Sequence, residues 1–351
     1  MRIVQIMLSD GWGGAERLFI ELCSGLATEG HQILAVCKPG FEHGSLLLAQ
    51  KNLSYVTIPA RCNWDYLSVW QLKRLVSHFK ADVLHAHLAR ASWMTGIVGT
   101  SLGLPTISTT HNKIKEKYIS RINYFTTITG DLQAYLAQVG IDGRRVRRIP
   151  NFSQLEAVDA VASVRRSPVT FVALGRFVHK KGFDLLLEAF KRYVETSPIP
   201  ARLVLGGDGP LDRQLRRQTD QLGIAHLVDF IGWVDDIASF LDTGDVFILP
   251  SRDEPFGIVL LEAMARGKPI VTANVSGPRD FLDSSTAFFA DADDSESLSK
   301  SMQIAAGNPE LCREKAGLAL EQFRSKYTSS AVLPQFVTFY EDILSRRPVS
   351  R

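Results

Sequence analysis

The chain has 351 residues, 45% of them hydrophobic and 22% charged, with a formal net charge of +3. That length exceeds one ordinary core and predicts two domains, while the composition is globular and excludes a disordered or collagen-like chain. No apolar run approaches the length of a membrane span, and four widely separated cysteines (Cys23, Cys37, Cys62 and Cys312) predict thiols rather than disulfides or zinc ligands.

The chain opens on an apolar strand, 2–8, that ends in a glycine turn rather than a small-residue cleavage site, so a cytoplasmic protein is expected. The turn is Gly11-Trp12-Gly13-Gly14, followed by a helix over 14–29. Consecutive glycines let backbone N–H groups reach phosphate or sugar oxygens, although the spacing is not the dinucleotide fingerprint. Further strands are predicted at 31–37, 54–58, 82–86, 105–109, 124–128 and 145–149, with helices at 66–79, 89–102 and 130–138. His85 and His87 fall on or just past a strand and read as core or rim residues. His111 follows another strand end in Thr109-Thr110-His111-Asn112, where an imidazole could meet a sugar hydroxyl. Behind it come Lys113, Lys115, Lys117 and Arg121, a cluster that is either solvated surface or a contact for acidic lipid head groups or a phosphorylated acceptor. Residues 1–150 hold 17 basic against 10 acidic residues, so a basic first half precedes an acidic remainder. An anionic surface or substrate for the first domain follows from that asymmetry.

A break is predicted at about 151–168, after Pro150. The pattern restarts with strands at 169–174, 201–206, 227–231, 245–250 and 269–273, helices near 182–196, 210–221, 235–241 and 257–266, and a mainly helical stretch over 294–345. Strand–helix alternation of this kind gives parallel sheets covered on both faces, whose ligands bind beyond the carboxyl ends of the strands. The unusual residues lie in those loops. Arg176 and Lys181 flank Phe177-Val178-His179-Lys180, and a guanidinium with an ammonium suits a diphosphate. Gly206-Gly207-Asp208-Gly209-Pro210 could let a planar group lie on the backbone, with Pro210 opening a helix. Glu254 and Glu262 bracket Pro255-Phe256-Gly257-Ile258, one carboxylate on a loop at a helix N-terminus and the other inside that helix. A polyhydroxylated anionic ligand could use both, against the alternative of a loop acid and a solvated helix glutamate. Val275-Ser276-Gly277-Pro278 offers another exposed-backbone turn.

With these pieces in place, the chain resembles the retaining glycosyltransferases of family GT4 over almost its whole length. The resemblance is carried by Gly13-Gly14, His111, Gly175-Arg176 with Lys181-Gly182, the loop from Gly206 to Pro210, and Glu254 through Glu262. It implies an α/β protein of GT-B architecture, two doubly wound Rossmann-like domains facing a central cleft. Residues 1–150 would bind the acceptor and 151–330 the nucleotide-sugar, with 331–351 returning as a helix to the first domain. It further implies that Arg176 and Lys181 hold the donor diphosphate, that Glu262 binds the ribose, and that Glu254 with the backbone of Phe256, Gly257 and Ile258 contacts sugar and phosphates. Gly13 and Gly14 would approach the diphosphate, Gly207 would line the donor, and His111 would lie near the transferred sugar. Arg176, Lys181, Glu254 and His111 are the expected catalytic set. The family often carries glutamate near Asp280, where this chain has the shorter acid. The expected activity is transfer of a hexose from a UDP- or GDP-sugar to a glycan or lipid-linked hydroxyl, for lipopolysaccharide or envelope polysaccharide. No metal, no cofactor beyond the donor and no nucleic acid is expected, and the protein would sit peripherally on the inner membrane face. A nucleotide-sugar 2-epimerase and a non-catalytic nucleotide-sugar binder are the alternatives.

Overall fold

Short apolar runs separated by amphipathic stretches form two parallel sheets in the computed structural model, which describes residues 1–11, 13–41, 44–48, 50–62, 64–161 and 167–346. Trp12 of the first glycine turn and residues 162–166 of the predicted break lie outside the described residues. The chain folds as two compact units, Met1–Phe152 together with the segment from Ser329, and Ser153–Thr328.

In the first unit the elements run β1 (Arg2–Met7), α1 (Gly14–Thr28), β2 (Gln32–Cys37), β3 (Leu53–Thr57), α2 (Tyr66–Phe79), β4 (Val83–His87), α3 (Leu88–Leu102), β5 (Thr106–Thr110), β6 (Tyr124–Thr127), α4 (Gly130–Gln138) and β7 (Val146–Arg148). The seven strands are parallel in the order β3-β2-β1-β4-β5-β6-β7. Strand order therefore reverses between β1 and β4, the switch point where such sheets hold ligands. Strands β1, β4 and β5 are buried almost throughout, as strands covered on both faces must be.

The second unit runs β8 (Val169–Leu174), α5 (Phe183–Thr196), β9 (Ala201–Gly206), α6 (Asp212–Leu222), β10 (Val228–Gly232), α7 (Ile237–Thr243), β11 (Val246–Leu249), α8 (Ile258–Ala265), β12 (Ile270–Ala273), α9 (Ser276–Arg279), β13 (Phe288–Ala290), α10 (Ser295–Gly307) and α11 (Pro309–Lys326). Its six strands follow the order β10-β9-β8-β11-β12-β13, which puts the switch between β8 and β11. Helix α5 buries Phe183, Leu186, Leu187, Phe190 and Tyr193, apolar positions three and four apart, in the core beneath β8 and β9.

The final helix, α12 (Ser329–Ser345), belongs to the first unit. It buries Val332, Leu333, Phe336, Phe339, Tyr340 and Ile343 in the same core as β1 and α1, and Leu333 fills the space a side chain at Gly25 would take. Burying side chains of this size is worth about 2–3 kcal/mol each.

Differences from the sequence reading are local. The helical stretch over 294–345 is three helices, interrupted at Asn308, which precedes Pro309 in the first position of α11, and near Thr328. Pro210 does not open a helix, because α6 starts two residues later at Asp212. Helix α9 and strand β13 are too short to leave a periodic signal.

Candidate active site

In the second unit, the loops that leave β8 and β11 meet at the switch point and are stitched together. The amides of Arg252 and Asp253 donate to the Lys180 carbonyl at 2.8 and 3.2 Å. Gly182, at φ +68°, turns into α5 with its Cα against the Pro250 carbonyl, where any side chain would collide. This stitching brings the two charged groups together: the Lys181 Nζ donates to Glu254 Oε2 at 2.5 Å, and the Ser251 hydroxyl reaches the same oxygen at 3.3 Å. Glu254 is 6% exposed and Glu262, inside α8, is 1% exposed. The alternative of a solvated loop acid and a solvated helix glutamate is excluded, since ionisable side chains are seldom buried without a specific role or partner.

Arg176 stands at the end of β8 with its side chain exposed, and its guanidinium makes no hydrogen bond or ion pair among the described residues. One cation of the pair is thus engaged by protein and the other is open to a ligand. Phe256 is stacked on Phe281 with ring centroids 4.7 Å apart, so only its backbone could face a ligand. Ile258 is the first residue of α8, and Gly257 precedes it at φ +91° with no side-chain cap. Helices α1 and α5 likewise begin after Gly13 and Gly182 without a side-chain cap, whereas α2, α4, α7 and α10 are capped by Asp65, Thr129, Asp236 and Asp294. The free N–H groups of uncapped first turns favour anions.

Gly207 is packed against protein. Its N–H donates to the Gly232 carbonyl at 2.7 Å, and the Gly175 carbonyl occupies the place of a side chain. The glycines of this loop allow a close approach to 175–177, where Phe177 N–H donates to the Asp208 carbonyl at 2.8 Å. Gly277 is also a packing glycine, set against the backbone of Glu254 to Phe256.

Sequence reasoning missed Arg252. Its guanidinium forks onto Asp184 at 2.7 and 2.9 Å, reaches Asp293 at 2.5 Å and donates to the His179 carbonyl at 3.0 Å, clamping the two switch-point loops. Its position two residues before Glu254 was the available signal. Burial would raise the Asp184 carboxyl, but the hydrogen bond and charge of Arg252 outweigh it and hold that group below its ordinary range. A depressed carboxyl stabilises the fold above its unfolded pKa of about 4 and loses that contribution as pH falls through the lower folded value. Arg252→Met is therefore expected to melt below wild type at pH 7, with the difference narrowing under acid. Thermal melts from pH 7 down to about pH 3 measure it, and a gap that is constant with pH contradicts the assignment.

In the first unit, His111 lies just past β5 and is 7% exposed. It belongs to a buried polar chain. Its Nε2 is 3.1 Å from His87 Nδ1, and His87 Nε2 is 3.0 Å from Gln5 Oε1. Gln5 Nε2 donates to the Tyr340 hydroxyl of α12 at 3.1 Å, that hydroxyl is 2.7 Å from His85 Nδ1, and His85 Nε2 is 2.6 Å from Thr109 Oγ1. The three imidazoles stack at 4.6 and 5.4 Å. Burial pushes His111 and His85 down to about 3, the latter helped by the neighbouring His111, and holds His87 well below the ordinary histidine value, so all three are neutral near pH 7. His85 and His87 are thus core residues with polar work, beyond a core-or-rim reading. Strand β4 passes directly into α3 through Leu88 at φ +68°, a left-handed turn that costs a leucine about 1 kcal/mol or more.

Lys113, Lys115, Lys117 and Arg121 are exposed on the same unit; Lys113 pairs with Asp131 at 3.6 Å, and Lys117 lies over the rings of Trp64 and Tyr118. Around them Trp64, Tyr66, Leu67 and Trp70 are exposed, and Trp64, Tyr66, Trp93, Lys117, Tyr118 and Arg121 line a groove of about 380 Å³. The sequence carried this signal, because Tyr66, Leu67 and Trp70 fall off the buried stripe Val69, Leu72 and Val76 of α2.

Models of known families match both halves of the chain, "Glycosyltransferase Family 4" over residues 12–156 and "Glycosyl transferases group 1" over residues 159–316. The chain is 27% identical over 347 residues to the lipopolysaccharide core biosynthesis glycosyltransferase LpsD of Rhizobium meliloti, covering 95% of this chain and 97% of that protein. It is 30% identical over 315 residues to LpsE of the same organism, another lipopolysaccharide core biosynthesis glycosyltransferase, covering 84% and 86%. Its fold is similar to that of Anabaena HepE in complex with UDP and glucose, with a TM-score of 0.83 at 18% identity over 97% of this chain and 100% of that one. The lipopolysaccharide outer core galactosyltransferase WaaB matches with a TM-score of 0.79 at 16% identity, over 98% and 100%. The two sheets, their switch-point loops and these likenesses agree: the chain belongs to the glycosyltransferases of family 4, group 1, and has their GT-B fold.

Proposed function

We propose that this enzyme transfers a hexose from a UDP- or GDP-sugar to a hydroxyl of a lipid-linked or glycan acceptor, with retention at the anomeric carbon and without a metal ion, in the synthesis of lipopolysaccharide or a related envelope polysaccharide. The observation that carries the reading is the Lys181–Glu254 pair at the second switch point, with Arg176 exposed at the end of β8 and the uncapped first turn of α8 following. The diphosphate lies on Arg176, Lys181 and those N–H groups, Glu262 takes the ribose, and Glu254 positions the sugar. His111 takes a sugar hydroxyl. As the bond from the anomeric carbon to the phosphate oxygen breaks, the acceptor oxygen bonds to the same face of that carbon, and the acceptor proton passes to the departing phosphate oxygen. Preorganised cations and helix N–H groups stabilise the growing charge, which is commonly the largest catalytic contribution. The names of LpsD and LpsE, and of an Escherichia coli galactosyltransferase that uses UDP-Gal and is 24% identical, support the envelope context.

No described helix is long and apolar enough to cross a membrane. The exposed aromatic residues of the α2 entry, with Lys113, Lys115, Lys117 and Arg121 nearby, suit peripheral contact with the anionic inner face of the cytoplasmic membrane. One assay tests the whole reading: a panel of UDP- and GDP-hexoses, a lipid-linked saccharide in neutral or anionic vesicles, EDTA present, and product anomers read by NMR. Transfer with retained configuration, faster on anionic vesicles, is the expected result. An inverted product, a need for divalent metal, or conversion of the donor to an epimer without acceptor overturns it, and equal rates on both vesicles remove the membrane contact.

A further inference from the structure

The buried polar chain of the first unit has a direction, and one residue sets it. A neutral imidazole has one donor nitrogen and one acceptor nitrogen, so each bond in the chain fixes the next. The Gln5 amide directs its nitrogen to Tyr340 and its oxygen to His87. His87 must then carry its proton on Nε2 and accept on Nδ1, whose hydrogen-bond partner among the described residues is His111 Nε2 at 3.1 Å. His111 must therefore be protonated on Nε2 and bare on Nδ1, and Nδ1 has no hydrogen-bond partner among the described residues. In the other direction, the Tyr340 hydroxyl accepts from Gln5 and donates to His85 Nδ1, and His85 Nε2–H donates to Thr109. Rotating the Gln5 amide by half a turn would reverse every proton in the chain and place a hydrogen on His111 Nδ1.

We propose that Gln5 is a positioning residue for sugar transfer: held by Tyr340 of α12, its amide fixes the tautomer of His111 and presents Nδ1 as an acceptor for a substrate hydroxyl. This rests on the reading that His111 takes a sugar hydroxyl. An accepting nitrogen orients a hydroxyl through the hydroxyl's own proton, whereas the reversed tautomer would set two donors against each other. Tyr340 gives the returning helix a part in this beyond packing, since its hydroxyl bonds the far end of the amide and holds it in place. His85 and Thr109 back the hydroxyl from behind and keep it from rotating away.

The test is the tautomer itself, read from long-range proton–nitrogen correlation spectra of the full chain labelled with ¹⁵N-histidine. Wild-type His111 is expected to show a protonated Nε2 and a bare Nδ1. Gln5→Met and Tyr340→Phe, which keep size but delete the polar contacts, are expected to move His111 to a mixture, with kcat lowered roughly tenfold and the donor KM little changed. Phe339→Leu on the same helix, away from the chain of bonds, loosens packing and should leave the histidine signals in place. A protonated Nδ1 in the wild type, signals unmoved in both polar variants, or signals that move with no loss of kcat would overturn the proposal. Undiminished transfer by His111→Ala would instead sink the role of His111, while the spectra still report whether Gln5 sets its tautomer.

Discussion

Lys181→Ala is expected to lower kcat by about 10²–10³, the usual effect of removing one preorganised charged donor from a site where charge develops. Two consequences of this substitution have to be separated. Lys181 neutralises Glu254, whose side chain is 7% exposed, and without the ammonium that carboxylate keeps, among the described residues, only the Ser251 hydroxyl at 3.3 Å. Breaking a buried pair from one side costs about 3–5 kcal/mol, and the 20% exposure of the Lys181 side chain argues for the low end or less. If neutralising Glu254 were the whole role of Lys181, the double variant Lys181→Ala with Glu254→Gln would regain stability and turn over as fast as Glu254→Gln alone. The proposed diphosphate contact predicts otherwise: melting temperature recovers in the double variant and kcat stays below that of Glu254→Gln. Lys181→Arg keeps the charge but replaces a compact ammonium with a planar fork, so a partial rate is expected, between those of alanine and wild type. Wild-type kcat in Lys181→Ala, or a double variant as fast as Glu254→Gln alone, would leave the diphosphate without this anchor.

How much of this was legible in the sequence depended on how local the cause was. Strand and helix periodicity follows from neighbours along the chain, so α2 and α4 fall at the expected 66–79 and 130–138, and both sheets are parallel as the alternation required. The Glu254 and Glu262 pair and the Arg176 to Lys181 loop were visible because each lies in the single segment of chain that follows a strand. The Arg252 clamp was not, because Asp184 and Asp293 lie 68 and 41 residues from it in sequence and only the fold brings them together. The same is true of Gln5 and Tyr340, separated by 335 residues, where an ordinary strand glutamine gives no hint of its partner. Glycine was legible as a residue type but not in its reason. A ligand and a neighbouring loop both demand a missing Cβ, and at Gly207 and Gly277 the neighbour is protein.

That distinction gives Gly277→Ala a large expected effect from a single methyl group. Gly277 lies in α9 with a backbone that alanine adopts without strain, so the conflict is purely one of space. The added carbon would collide with the Glu254 carbonyl oxygen and come within 2.8 Å of the Phe256 amide nitrogen and the Pro255 carbonyl carbon. These are backbone atoms with no flexible end to yield, so the loop itself must move. A shift of about 1 Å in a positioning residue can cost on the order of 10² in rate, and overpacking costs about 1–3 kcal/mol in stability. Turnover is therefore expected to fall about a hundredfold in Gly277→Ala, with a modest loss in melting temperature. Gly317→Ala is the matched control, within α11 and with nothing inside 4 Å of the new carbon. Replacing a mid-helix glycine in open space stabilises by about 0.5–1 kcal/mol and should leave kcat alone. The two alanines thus move stability in opposite directions, and only the one touching the Glu254 loop should slow the reaction. Unchanged kcat in Gly277→Ala would mean that the position of Glu254 does not matter to transfer, and with it the role given to that carboxylate would fall.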